Sequence, residues 1–407
     1  MQNKLLDFVT KIPKSDLHVH LDGSVRINTI IELSKKQQSP LPSYTATGLE
    51  ELVFKDNYKD LNEYLQVFGF TVPIMQTPEN LERIAYEFAE DNINEGVCYV
   101  EVRFAPHLHI NDKQNIDEVL LSVNRGLNRA KIEYNSKPEV KTKKIPEFNY
   151  GIIVCAMRYF DKGYSQYFDH FIDAHRQQPN LNEVAAKASF ELVKESVRIR
   201  DKYNIPIVAL DIAGAEAGNP PFYHQEAYNF AHKSFMHLTA HAGEAYGPES
   251  IFQAVTMLHA ERIGHGFYLF SPDKITDPTI KDKNKYIENL VEYTAKKRIT
   301  IEVCLTSNLQ VISTLKALKN HPFAKMLEQH LSTVICTDNR TVSKTNVTKE
   351  LMLAIQHFDL KKDALRNLII NSFKKSFYPG SYTQKLSYIK QISDYYDSIS
   401  NNILFFS

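Results

Sequence analysis

An alternation constrains this fold more than any other feature of the chain. Short runs rich in β-branched and apolar residues recur at 15–20, 97–104, 150–157, 207–212, 237–241, 262–265, 300–304 and 333–337. Most are followed by longer stretches of helical period, such as 80–94, 192–203, 248–259 and 284–297. Alternating strands and helices predict a parallel sheet, because parallel neighbours must be joined by long crossovers. Eight such units predict an α/β chain closed into a (β/α)8 TIM barrel rather than an open doubly wound sheet. Residues 28–76 predict helical lid material after the first strand, and the tail from 360 to 407 predicts further helices. The expected organisation is a single domain over 1–407, with a barrel core over about 12–380 and a helical tail over 381–407. The Ile403-Leu404-Phe405-Phe406 end is expected to pack on the body.

At 407 residues, 43% of them hydrophobic, the chain can bury the large core that such a barrel needs. Lys plus Arg and Asp plus Glu balance at 48 each, so no overall field draws the protein to nucleic acid or to an anionic membrane. A small-molecule partner is the expectation, and the oligomeric state is left open. The lysine-rich stretch 137–144 reads as a solvated surface loop, because no aromatic residues interleave with its charges. Residues 271–283, rich in Pro, Asp and Lys, read as a second loop. Cys98, Cys155, Cys304 and Cys336 are widely spaced, sit in apolar runs and form no CxxC pair. They read as buried thiols in a reducing compartment. With no signal-peptide pattern and no run of transmembrane length, a cytoplasmic protein is expected.

A barrel of this kind carries its chemistry at the C-terminal ends of its strands. The first run ends in His18-Val19-His20-Leu21-Asp22-Gly23. Alternate residues of a strand point the same way, so His18 and His20 can offer two imidazole nitrogens to one point, which is half of a metal site. The pattern alone is weak, since His107-Leu108-His109 repeats it. What strengthens the first pair is the polarity of the other strand ends. The fourth gives Asp211 to Glu216, the fifth His241-Ala242-Gly243-Glu244, the sixth Gly264-His265-Gly266, the seventh Ser307-Asn308 and the eighth Thr337-Asp338-Asn339.

His-x-His-Leu-Asp-Gly, His-Ala-Gly-Glu, Arg-Ile-Gly-His-Gly and a late Thr-Asp, in this order and over nearly the whole chain, resemble the adenosine deaminase family. The resemblance implies hydrolytic removal of ammonia from carbon 6 of adenosine by a barrel holding one Zn²⁺ per chain. It implies that His18, His20, His241 and Asp338 are the zinc ligands. Glu244 matches the residue that protonates ring N1, and His265 the residue that orients the water and takes or shields its proton. Gly214 matches the backbone donor to N3, though an ordinary turn glycine reads equally well. Asp22 matches the acceptor for the ribose 5′-hydroxyl, where a carboxylate repels a 5′-phosphate. Leu61, Tyr64, Leu65 and Phe68 match an apolar lid over the substrate, or simply a helix packed on the barrel. The chain departs from the pattern at Asn339, where many members carry a second aspartate bonded to N7; an amide can donate to N7 in its place.

Two rival chemistries fit poorly. A two-metal site needs a bridging Lys or Glu at the fourth strand end, where 208–214 offers only Asp211. The cytidine-type deaminases need Pro-Cys-x-x-Cys after His-x-Glu; His259-Ala260-Glu261 is present but no CxxC is. Deamination of another aminopurine, such as adenine or a modified adenosine nucleoside, and a non-catalytic purine-binding barrel remain the alternatives.

Overall fold

The structure is a computed structural model that describes residues 2–178 and 180–401. The 403–406 end lies outside the described residues. Eight parallel strands follow one another in chain order: β1 (Lys14–His20), β2 (Val97–Phe104), β3 (Asn149–Met157), β4 (Ile207–Ala213), β5 (His237–Ala242), β6 (Arg262–His265), β7 (Thr300–Val303) and β8 (Ser332–Ile335). All eight runs named from the sequence are strands. The first and last strands meet through a parallel bridge between Val19 and Asp338, so the sheet closes on itself. This is the (β/α)8 barrel.

The strands are buried on both faces, as a covered parallel barrel requires. On β1, Leu17 and Val19 join the main apolar cluster while Asp16, His18 and His20 occupy the alternate positions. The helices start where their caps say they should. Thr77 accepts from the amide of Asn80 with Pro78 in the first turn, and Asn115 accepts from that of Glu118. Helices Pro78–Asn94, Leu181–Tyr203 and Lys283–Lys297 cover three of the predicted periodic stretches, the second beginning eleven residues earlier than its period suggested, and Pro248–Thr256 stops three residues short of the end of the fourth.

Between β1 and β2 the chain forms helices Ile27–Gln37 and Ala46–Leu52 and the short turns Leu61–Leu65 and Phe68–Thr71. The tail supplies Lys362–Lys375 and Tyr382–Asn401. The lysine-rich stretch is not all loop: Pro138–Lys141 forms one helical turn, with Pro138 at its start where a missing N–H costs nothing. The four cysteines are free and buried. Among the described residues no helix is long and apolar enough to cross a membrane.

Candidate active site

The closure of the barrel and the convergence of the proposed metal ligands are one event. The amide of His20 donates to the carbonyl of Asp338 at 2.7 Å, and the amide of Asp338 donates to the carbonyl of His18 at 2.8 Å. These two bonds join β1 to the segment after β8 and bring three ligand-type residues together. His241 comes from the end of β5, and the ligand atoms of His18, His20, His241 and Asp338 all lie within 4.8 Å of one another. Nε2 of His20 is 3.3 Å from Nε2 of His241, and Oδ1 of Asp338 is 3.4 Å from Nε2 of His20 and 3.5 Å from Nε2 of His18. Ligands about 2.0–2.1 Å from a tetrahedral ion are separated by roughly 3.3 Å, so this cage has the right size for zinc.

The donor chemistry fits as well. Nδ1 of His18 is 2.7 Å from Glu302 Oε2, and Nδ1 of His241 is 3.0 Å from Asp211 Oδ2. These carboxylates hold the ring protons on Nδ1 and turn the Nε2 lone pairs toward the cage. Nε2 of His18 is buried and otherwise has no partner. Burial keeps the imidazoles of His20 and His241 neutral. Burial alone would raise the Asp338 carboxyl, but the His18 hydrogen bond and the surrounding imidazoles hold it ionised, well below the usual range. Ser307 donates to its Oδ2 at 2.5 Å, which leaves Oδ1 for the cage.

Below the cage lies a fully buried ion-pair network: Arg103 joins Asp211 to Glu302, and Arg262 joins Glu302 to Glu101. Glu101, Asp211, Glu302 and Asp338 against Arg103 and Arg262 leave two negative charges, which a divalent cation neutralises. Space is as constrained as charge. A Cβ on Gly264 would stand 2.8 Å from Cε1 of His18. Glycine at this point of β6 is what admits the imidazole.

Glu244 and His265 stand beside the cage. Nε2 of His265 is 3.5 Å from Glu244 Oε1, and both residues group with Asp338. Burial, reinforced by Asp338 and Glu216, pushes the Glu244 carboxyl well above its ordinary range, which favours its protonated form. Burial pushes the His265 imidazole down, so it is neutral. Glu216 positions the Glu244 loop: its carboxylate accepts from the amides of Gly243, Glu244, Ala245 and Tyr246 at 2.6–2.9 Å and from Ser250 Oγ. His265 and Asp338 both adopt left-handed backbone conformations, at φ 66° and 62°.

The remaining predicted residues fall at the same end of the barrel. Gly214, at φ 99°, ends β4 in a conformation that favours glycine. Asp22 is buried with Oδ1 unpartnered, and burial raises its carboxyl to about 7. The Asn339 amide donates to the Tyr64 hydroxyl at 2.8 Å, which pairs with Ser343 at 2.9 Å. Of the four lid residues, Tyr64 is thus tied directly to the strand-end loop. Phe68 meets its ring edge to face at 6.4 Å; Leu61 and Leu65 are half-buried on the same turn. The second His-x-His pair behaves differently because Pro106–His109 is a 3-10 turn, not a strand. His107 stacks on Tyr167 and His109 leans on Phe104, and burial lowers their imidazoles to about 3 and about 4. They are core histidines.

A parallel barrel that gathers three imidazoles and a carboxylate at its strand ends, with a buried glutamate and a further imidazole beside them, has the donor set of a metal-dependent hydrolase. Residues 13–394 match the family described as adenosine deaminase, to which this chain belongs. An adenosine deaminase of Clostridium botulinum (strain Langeland) is 34% identical over 386 residues, covering 94% of this chain and 98% of the relative. Among solved structures, an amidohydrolase from Burkholderia ambifaria with bound zinc superposes with a TM-score of 0.74 at 18% identity, covering 98% of this chain and 94% of its own. An adenine deaminase from Arthrobacter aurescens superposes at 0.72 and 19% identity, with coverage of 95% and 99%.

Proposed function

We propose that this protein is a zinc-dependent adenosine deaminase that converts adenosine, and 2′-deoxyadenosine, to the inosine nucleoside and ammonia. The observation that carries the reading is the convergence of His18, His20, His241 and Asp338 in a cage with Glu244 and His265 at its rim. When bound, zinc lowers the pKa of water toward about 7 and so makes hydroxide available at neutral pH. His18, His20, His241 and Asp338 would hold it, and the zinc-bound fold neighbour supports that choice of metal.

The chain's own groups then account for the proton balance. Glu244, kept protonated by burial, gives its proton to ring N1 as hydroxide attacks carbon 6. The bond from carbon 6 to the exocyclic nitrogen breaks, the new hydroxyl's proton passes to the departing amine, and ammonia leaves. Gly214 presents its backbone N–H to N3, and Asn339 keeps a second amide N–H for N7. The buried, unpartnered oxygen of Asp22 suits a ribose hydroxyl, which supports a nucleoside over the free base. Free buried thiols suit a reducing compartment, so we place the reaction in the cytoplasm, as a step of purine salvage.

The test is an ultraviolet panel of adenosine, 2′-deoxyadenosine, adenine and AMP with the zinc-loaded protein. Adenosine turned over with the highest kcat/KM is the expected result. Preference for adenine would replace this reading with that of the Arthrobacter neighbour. An unchanged spectrum for all four would leave a purine-binding barrel.

A further inference from the structure

Behind His265 runs a chain of hydrogen bonds that begins at a group whose role is fixed. The backbone N–H of Phe323 lies 3.0 Å from Nδ1 of His321. It is one of the first-turn donors of helix Phe323–Glu328, which have no partner within the helix, and it can only donate. Nδ1 of His321 is therefore an acceptor, and the single ring proton of the neutral imidazole sits on Nε2. That nitrogen is 3.1 Å from Oδ1 of Asn308 and donates to it. With its oxygen so engaged, Asn308 turns its NH2 toward Nδ1 of His265, 3.1 Å away. An NH2 can only donate, so Nδ1 of His265 accepts. All three side chains are 2% exposed or less.

We infer that His321 and Asn308 are positioning residues that fix the ring tautomer of His265, so that His265 presents an Nε2–H donor, not a lone pair, to Glu244 and the reacting centre. The tautomer follows from the hydrogen bonds alone; its catalytic consequence rests on the deaminase reading. A neutral His265 of this form does not act as the base that removes the water proton through Nε2. It donates to an oxygen and holds it in place, which narrows the two roles that the family resemblance left open. Hydroxide forms by loss of the water proton to solvent, and Glu244, once it has protonated N1, is the carboxylate within reach that can carry the adduct hydroxyl's proton to the departing amine. His321 lies 56 residues beyond His265 in sequence and is hydrogen-bonded to Asn308, so its effect on His265 is exerted through that side chain.

The experiment is long-range ¹H–¹⁵N correlation spectroscopy of the full chain labelled with ¹⁵N-histidine, metal-stripped and zinc-loaded, with His265 assigned by its loss in His265→Gln. The expected spectrum shows a protonated Nε2 and an unprotonated Nδ1 at His265. The opposite pattern in the unaltered protein overturns the inference, whatever the variants do. Asn308→Asp then supplies an acceptor of the same shape and size, which demands a proton on His265 Nδ1. The tautomer is expected to reverse and kcat to fall about 10²- to 10⁴-fold, as when a catalytic imidazole is held in the wrong tautomer, with KM little changed. Reversal with turnover intact would refute the donor role. The spectra do not depend on the substrate assignment, so failure of the deaminase reading and failure of the relay are distinguishable.

Discussion

Replacing Gly264 with alanine tests the metal cage without substituting a ligand. The added Cβ would lie 2.8 Å from Cε1 and 3.2 Å from Nδ1 of His18, and 3.3 Å from Cα of His241. Ordinary contact begins near 3.4 Å, so the His18 ring must retreat by roughly 0.6 Å. It has little room to do so, because Glu302 holds its Nδ1 at 2.7 Å and Asp338 binds its backbone carbonyl at 2.8 Å. Metal–ligand distances tolerate only about 0.2 Å, so the displacement falls outside what a zinc site accepts. Gly264 is not among the positive-φ glycines, so backbone strain does not confuse the result. Zinc affinity of Gly264→Ala, measured by competition with a chromophoric chelator, is expected to drop about 10- to 100-fold, the range seen when a ligand loses its supporting partner. Overpacking should cost about 1–3 kcal/mol of stability, measured by urea unfolding of the metal-free protein, and leave the barrel folded. A folded Gly264→Ala protein that binds zinc as tightly as the unaltered chain would show that His18 is not a ligand.

Glu244→Gln should retain zinc by elemental analysis and lose about 10²- to 10⁴-fold in kcat, because an amide cannot give a proton to N1. Since burial raises the Glu244 carboxyl, its active acid form is complete at low pH and is lost as pH rises through the raised pKa; the alkaline limb of kcat should therefore disappear in this variant. Glu350, buried and bonded to Thr306 and Thr345, has its carboxyl raised by burial to about 7. The native state thus keeps a proton that the unfolded chain sheds near its ordinary value, and this group's contribution to stability falls as pH rises from about 4.5 to about 7, by about 3 kcal/mol. Urea unfolding of Glu350→Gln at pH 5 and pH 7 should show a smaller decline than the unaltered protein; an equal decline would place the titration elsewhere.

What the sequence made legible and what it hid divide along a physical line. The strands could be read because a covered parallel strand is a continuous apolar run, a property of four to nine neighbouring residues. The ligand pairs could be read because side-chain alternation is local: His18 and His20 share a face wherever β1 goes. The same logic explains His107 and His109, whose identical spacing lies on a turn started by Pro106 and so points two ways. The supporting groups are another matter. Glu302 lies 284 residues from the imidazole it orients, and Asp211 lies 30 from His241. Glu216 meets amides 27–30 residues away. Asp211 and Glu216 could be read as polar residues at the fourth strand end, but which group each one holds is decided only when the barrel closes, and Glu302 had no such signal at its strand end. One signal was available: a charged residue inside an otherwise apolar strand needs a buried partner, and Glu101, Arg103, Asp211, Arg262 and Glu302 are five such residues on five inward strand positions. Their charges sum to minus one, and with Asp338, three residues beyond β8, to minus two, but which of them pair is decided only when the barrel closes.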